Sequence, residues 1–456
     1  MALLLSVIIA SYAFYSGIFA NLPPVQDANP NYFNMLGEAF LSGHTYIDSY
    51  VLDYYHLPPA KNAAISSKPP YFFLDTSFYQ GRYYVYWGPV PVLLVWIPIK
   101  LLTGISVSAG FTGFIFASLA IACLTLLFFR ISQRIGAIPL WGTMFVILSL
   151  AYGTWIPFVL RGARFYEVPG LGGYAFTAMG LLCYWLYWEN KKSLWLVLAS
   201  LCFGLAVGCR INLIFNGVFI VLALIILHRE HTGRERIRTY IQALFPWLMC
   251  LSLYGIYNYV RFDSPFQTGI SYQVSVLDWH HRRFRLFTPE WSLEHAYLYL
   301  FKPLQWNVPI AFPFFSPASF WGNMTIPWTS IEAPYLEPTF GLLSNSPFAL
   351  FYFLIGAHWK NRQNWAPSFR LIIYALLLYS ATVLLFFMYH YYVTQRYSVD
   401  FAPWLMAISG MVYLLSLRAC SGKMGCTRAL FIFGALFCAY GVFTGTMSGY
   451  CGYFRC

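Results

Sequence analysis

Residues 88–104 read GPVPVLLVWIPIKLLTG. The stretch is apolar, but it is short and carries Pro89, Pro91, Pro98 and Lys100. A helix of about sixteen residues covers about 24 Å at about 1.5 Å per residue, less than the ~30 Å hydrocarbon core of a bilayer. It therefore reads as an interfacial or re-entrant helix and not as a span. The side on which every later loop falls depends on that reading.

Longer apolar runs stand on both sides of it, at about 1–20, 106–129, 137–158, 170–188, 193–209, 211–228, 239–260, 339–357, 371–389, 399–417 and 429–448. These predict an all-α polytopic membrane protein of about eleven transmembrane helices. The first run has no basic n-region and no small-residue cleavage site, so it reads as a retained span. Composition agrees. Of 456 residues, 59% are hydrophobic and 10% are Asp, Glu, Lys or Arg. A soluble domain carries about 25% charged residues, and disordered or collagen-like chains have neither this apolar share nor this aromatic content.

The formal charge is +12, from 28 basic and 16 acidic residues. With 88–104 kept out of the span count, the residue 130, 191, 229–238, 360–370 and 418–428 loops fall on one side. They hold fourteen basic residues against three acids, and the other side holds fourteen against thirteen. The positive-inside rule then sets the N-terminus in the cytoplasm and the C-terminus outside. The strongest basic run, HREHTGRERIR at 228–238, serves topology, so nucleic acid is excluded as a partner. The ten cysteines show no metal-ligand spacing. Cys123, Cys183, Cys202, Cys209, Cys250 and Cys438 read as small core residues, and Cys451 with Cys456 as a pair open to oxidation outside.

The two long outer segments, 21–105 and 261–338, concentrate the polar residues. Residues 21–48 read NLPPVQDANPNYFNMLGEAFLSGHTYID. Asn29 and Pro30 fit a helix start and Gly43 a helix stop. Between them Tyr32, Met35, Leu36, Ala39 and Phe40 share one face, which makes a short amphipathic helix for the interface. Asp27 stands just before it, either as a plain helix-start acid or as a functional carboxylate held at the membrane surface. Asp75, Arg82, Tyr83 and Tyr84 form a polar aromatic turn leading into 88–104. Two readings stand for its tyrosines: a headgroup-depth aromatic belt, or a wall against which a sugar stacks.

In the third outer stretch, LRGARFYEVPGLGGY at 160–174, Arg164 and Glu167 lie three residues apart. Glu167 is either an ion-pair partner of a nearby arginine or a functional acid. Arg210 sits between two apolar runs, where an arginine needs water, a partner or a phosphate. Arg282 and Arg283 belong to a basic cluster in the second outer segment, and Arg396 with Tyr397 precedes a late span. Guanidinium groups suit phosphate, and headgroup binding is the simpler role for each alone.

The order of these pieces resembles the GT-C glycosyltransferase superfamily. A first span is followed by an acid before an amphipathic helix, then by the GRYYVYWGPVP turn, and later by NYVRFDSPFQTG and QRYSVDFAPWL. The likeness is closest to bacterial members related to protein O-mannosyltransferases and lipid A aminoarabinose transferases. The layout match covers residues 1–260 as a catalytic membrane module, followed by a second outer loop at 261–338 and C-terminal helices at 339–456. The sequence departs from the commoner family pattern in having Ala28, and not a second acid, after Asp27, and in lacking a large soluble C-terminal domain.

The resemblance implies an inverting glycosyltransferase of the bacterial cytoplasmic membrane, active at the outer face. Its partners would be a polyprenyl-phosphate-linked sugar and a glycan, lipid or protein acceptor. Asp27 and Glu167 would be the catalytic acids, with Glu167 implied as the second functional acid. Arg82, Arg210, Arg282, Arg283 and Arg396 would bind the donor phosphate. Tyr32, Asp75, Tyr83, Tyr84, Arg164 and Tyr397 would contact substrate. No cofactor is required, and a divalent cation is allowed because some relatives use one. The rival is a transporter or flippase of lipid-linked glycans, which needs charges within its spans; almost none are found there.

Overall fold

A computed structural model describes residues 1–18, 31–47, 75–136, 138–274, 287–306, 314–316, 337 and 339–451. The chain opens with α1 (Ala2–Tyr15) and α2 (Tyr32–Leu41), a hairpin of β1 (Ser77–Tyr79) and β2 (Arg82–Tyr84), and a short helix α3 (Val92–Thr103). Then come α4 (Ala109–Ile135), α5 (Leu140–Tyr152), α6 (Ile156–Arg161), α7 (Glu167–Asn190), α8 (Ser193–Cys209), α9 (Ile211–Glu230) and α10 (Gly233–Phe262). α11 (Ser292–Leu300) belongs to the second connecting segment, and α12 (Pro347–Trp359), α13 (Pro367–Tyr389), α14 (Ala402–Ala419) and α15 (Met424–Cys451) follow.

Among the described residues seven helices are long and apolar enough to cross a membrane: α4, α5 continued by α6, α9, α10, α13, α14 and α15. α1, α3, α8 and α12 are shorter apolar helices. α7 has 24 residues and is buried along almost its whole length. Each apolar run read from the sequence contains helix, and the protein is an all-α polytopic membrane protein. α10 shows what solvent it needs. Ile237, Ile241, Phe245, Leu248, Ile256 and Val260 are exposed along it. Water would not tolerate such a stripe, whereas lipid tails match it.

α3 is a short apolar helix, below the length of the seven candidate spans. It opens as a π-helical turn over Val92–Trp96 and stops at Gly104, whose φ of 73° is left-handed. The indole N–H of Trp96 donates to the Val107 carbonyl at 2.8 Å, and Ser108 then caps α4. Asn31 reaches the same carbonyl at 3.4 Å, and Gly110 of α4 lies against the Ser16 carbonyl just after α1. The end of α1, the start of α2, the end of α3 and the start of α4 therefore meet at one end of the bundle. α2 rests on α3 through Phe33 stacked on Trp96 and an ion pair of Glu38 with Lys100 at 2.9 Å. Asn31, not Asn29, is the observed cap of α2: its side chain accepts from the N–H groups of Phe33 and Asn34. Gly43 has a φ of 85°, consistent with the expected stop.

The bundle sorts its charges by end. At one end Arg130 pairs with Glu189 and Lys191 with Glu230, tying together α4, α7 and α9. Cys420, just after α14, is bridged to Cys426 in the first turn of α15. At the opposite end, with α2 and α3, lie Glu167, Arg210 and a 3-10 turn over Gln395–Asp400. These two groups of charges stand at opposite ends of the helices that carry them.

Candidate functional site

The site is built where three distant parts of the chain meet at the polar end. The first is the hairpin. Its turn residues Gln80 and Gly81 both have positive φ, 49° and 79°, the backbone that a two-residue hairpin needs to match strand twist. Asp75, also left-handed at φ 62°, enters β1, and its N–H donates to Val274. Val274 N–H donates back to Thr76 at 2.7 Å, and Ser77 Oγ to Gly269 at 2.7 Å. Two loops almost 200 residues apart are thereby stitched together.

The second part is the start of α7. Tyr166 donates its hydroxyl to Asp75 Oδ2, while Gln273 Nε2 donates to Asp75 Oδ1 at 3.2 Å. Burial pushes the Asp75 carboxyl above the ordinary carboxylate range, against the opposing pull of Tyr166, Arg396 and Gln273. Glu167 is almost fully buried and accepts from the Arg164 backbone N–H at 2.8 Å. Its other oxygen lies 3.6 Å from Nη1 of Arg396.

The third part is the segment 392–400. Arg396 lies over the Tyr166 ring at 4.7 Å and pairs with Glu337 at 2.9 Å. Arg210, in extended backbone after α8, pairs with Asp400 at 2.8 Å and lies over Tyr397 at 4.5 Å. Tyr397 also contacts the Arg396 guanidinium, at 5.8 Å, so one phenol ring borders both cations. Asn212 donates to the same Asp400 oxygen as Arg210, at 2.8 Å. Arg210 owes its position to a backbone crossing. A Cβ on Gly88 would sit 1.9 Å from the Gly208 carbonyl, so the chain after β2 lies directly on the end of α8.

Two guanidinium groups thus flank one aromatic ring, and each is paired with a carboxylate. The fold that carries this arrangement is shared with solved proteins. An oligosaccharyltransferase from Archaeoglobus fulgidus, tethered to an acceptor peptide, matches 98% of this chain with 12% identity and a TM-score of 0.51. The archaeal oligosaccharyltransferase AglB from Archaeoglobus fulgidus, in complex with an inhibitory peptide and a dolichol-phosphate, matches 99% of it with 10% identity and a TM-score of 0.50. The chain has the GT-C fold.

ArnT from Cupriavidus metallidurans, bound to undecaprenyl phosphate, also aligns, over 98% of this chain and 76% of its own, at 11% identity and a TM-score of 0.49. The chain spans 55% and 56% of the two oligosaccharyltransferase chains. No protein-family model and no curated protein matches this sequence.

Within this GT-C fold the expected site residues divide into three groups. Asp75, Glu167, Arg210, Arg396 and Tyr397 come together. Tyr32 borders them: it packs on Phe165, and its phenol is pushed up by burial and by the Asp75 charge. Arg164 contributes its backbone N–H. Arg82 does not join the cluster. It is exposed and lies over Tyr46 at 4.2 Å, because it directly follows the Gln80–Gly81 turn at the tip of the hairpin, whereas Tyr84, further from the tip, is buried. Tyr83 and Tyr84 pack against Phe78 and Phe262 respectively. Asp27, Arg282 and Arg283 lie outside the described residues. Arg261 is a structural arginine: it is buried, donates to Val85 O at 2.5 Å and is braced by Asn258.

Glu337, Gln273, Tyr392 and Thr394 join the site without a motif to announce them. Asp400 could be found in QRYSVDFAPWL as an acid at the edge of an apolar run. Among the described residues no group of three or more His, Cys, Asp or Glu is arranged to hold a metal ion.

Proposed function

We propose that this protein transfers a sugar from a polyprenyl-phosphate carrier to a glycan, lipid or protein acceptor, with inversion at the anomeric carbon. The observation that carries the reading is the pair of guanidinium groups, Arg210 and Arg396, flanking Tyr397 at the end of a GT-C membrane bundle. The archaeal relative of like fold was solved with a dolichol-phosphate, which supports a lipid phosphate here.

The chemistry gives these cations their work. The acceptor hydroxyl loses its proton to a carboxylate as its oxygen attacks the anomeric carbon. The bond from that carbon to the phosphate oxygen breaks, and the electron pair leaves with the lipid phosphate. The phosphate passes from a singly charged diester toward a doubly charged monoester. Cations beside it are therefore favoured more in the transition state than in the bound donor, which is the condition for rate enhancement.

Asp27 acts as the base in this scheme. Glu167 orients the acceptor and Arg396, and Asp75 holds Tyr166 beneath the Arg396 guanidinium. Tyr32, Tyr83, Tyr84 and Arg164 are the proposed surroundings of the sugar and acceptor. No step requires a cofactor, and a divalent cation remains compatible with the acids.

The membrane setting follows from charge. The end with Arg130 and Lys191 is proposed to face the cytoplasm and the site end outward, and the family resemblance suggests a bacterial cytoplasmic membrane. Reporters fused after Arg130 and after Glu167 test this by reporting opposite sides. Cys420 and Cys426 lie at the Arg130 end, so this orientation predicts that the two thiols are found reduced in cells, and an intact bridge there would argue for the opposite orientation.

The function is tested by mass spectrometry of envelope glycans from cells with the wild-type chain, Asp27→Asn, Arg396→Gln or no chain. One sugar-bearing product is expected with the wild type alone, all variants being present in the membrane at equal amounts. Undiminished product from both variants would remove the assignment. A flippase predicts instead that lipid-linked precursor accumulates on the inner leaflet.

A further inference from the structure

Arg396 does not stand free at the proposed phosphate site. Glu337 occupies it. The Glu337 carboxylate accepts from Tyr392 Oη at 2.7 Å, from Thr394 Oγ1 at 2.5 Å and from Arg396 Nη1 at 2.9 Å. Its own backbone N–H donates to Val393 O at 3.0 Å. Two hydroxyls and a guanidinium converging on two anionic oxygens make a donor set for a phosphate as well as for a carboxylate.

We propose that Glu337 is a built-in competitor for the donor phosphate: it fills the seat made by Tyr392, Thr394 and Arg396 and is displaced when the lipid phosphate binds. This deepens, and rests on, the reading of Arg396 as a phosphate ligand.

Charge balance decides which group leaves. Arg396 lies between two carboxylates, Glu167 at 3.6 Å and Glu337 at 2.9 Å. A phosphate arriving at Arg396 would add a third acidic group around one guanidinium in a poorly solvated site, which favours withdrawal of one of the carboxylates. Glu167 is fixed: its side chain is 3% exposed, and it heads α7 with a second bond from Arg164. Glu337 is 19% exposed and sits on a connecting segment, outside any helix. Its hydroxyl donors lose nothing by exchanging one anionic oxygen for another. The seat therefore stays satisfied in the empty protein, and no buried donor is stranded between turnovers.

The test is direct binding of undecaprenyl phosphate to the purified full chain in detergent, followed by intrinsic tryptophan fluorescence. Wild type, Glu337→Gln, Glu337→Ala and Arg396→Gln are compared, with phosphatidylglycerol as the control lipid. Thermal melting of each variant confirms that it is folded. Both Glu337 variants are expected to bind about tenfold more tightly than wild type, the equivalent of one charge-assisted hydrogen bond returned to the ligand. Arg396→Gln is expected to lose binding.

If Arg396→Gln loses binding but the Glu337 variants bind equally or more weakly, Glu337 is a support for Arg396 and the competitor role is overturned, while the phosphate reading stands. If Arg396→Gln binds like wild type, the phosphate reading itself fails and the proposal with it. Equal tightening toward phosphatidylglycerol also overturns it, since the seat would then read any lipid headgroup.

Discussion

Arg210 and Asp400 offer a way to separate what holds the site from what the site does. Asp400 has no exposed side chain, and Arg210 is only 17% exposed. At 2.8 Å their gross attraction is about 6 kcal/mol with an effective dielectric of about 20. Much of that offsets desolvation, so the pair adds little compared with an apolar pair of similar shape. Breaking it is another matter. Arg210→Met leaves a buried carboxylate with Asn212 as its remaining donor, because the Oδ1 atom of Asp400 has no hydrogen-bond partner. The expected cost is about 3–5 kcal/mol.

Adding Asp400→Asn to that variant removes the stranded charge and keeps an acceptor for Asn212. The double variant should therefore recover about 2 kcal/mol or more, a coupling that a double-mutant cycle reads directly. SDS-induced unfolding in mixed micelles measures it. Transfer follows a different course. If Arg210 meets the leaving phosphate, its loss costs about 10²–10³-fold in rate whatever happens at residue 400. Stability should return in the double variant and activity should not. Recovery of both would refute a phosphate role for Arg210, and a single-variant cost below about 1 kcal/mol would refute the buried pair.

The remaining expectations concern the acids and the backbone crossing. Asp75 must be ionised to accept from both Tyr166 and Gln273, and burial holds its pKa up, so transfer should be lost as pH falls through that raised value. Tyr166→Phe removes a bond that favours the ionised form and should move the acid limb of the pH–rate profile to higher pH; an unmoved limb would separate Asp75 from it. Glu167→Gln weakens the hold on Arg396 and should lower turnover about 10²-fold with little change in melting temperature, measured on the same preparations. Gly88→Val places side-chain atoms on the Gly208 carbonyl, which a Cβ alone would meet at 1.9 Å, so the chain should fail to accumulate in the membrane. Normal accumulation of that variant would argue against the crossing.

What the sequence made legible follows from the range of the forces involved. Apolar runs report lipid exposure and burial locally, so every run read from them contains helix. The stretch 88–104 was legible for the same reason: its length, prolines and closing glycine are all local facts. The start of α2 was misplaced by two residues because NPN offers two asparagines with equal claims to cap, and Asn31 is the one whose side chain accepts from the first free N–H groups of the helix. Glycine and tyrosine around Arg82 suggested a site, but the hairpin register puts that arginine at the exposed tip, directly after the Gln80–Gly81 turn.

The partners of the cations were not legible, and the reason is distance along the chain. Arg210 and Asp400 are 190 positions apart, and Glu337 meets Arg396 across a pairing that only the backbone bond to Val393 defines. Ion pairing in a membrane protein is decided by which helix ends the bundle brings together, and no local pattern encodes that. Yet the requirement for a partner was legible. An arginine or an acid at the edge of an apolar run must be paired, hydrated or bound to substrate, because the bilayer supplies none of these. The arginine edges of this chain resolve into two carboxylate-held cations around Tyr397. The expectation that a charge at a span end marks function therefore becomes a narrower one: the cation marks the ligand, and the carboxylate beside it marks what the ligand must replace or leave in place. Asp400, buried and doubly bonded, belongs to the second kind, and Glu337, only partly buried and held by exchangeable hydroxyls, to the first.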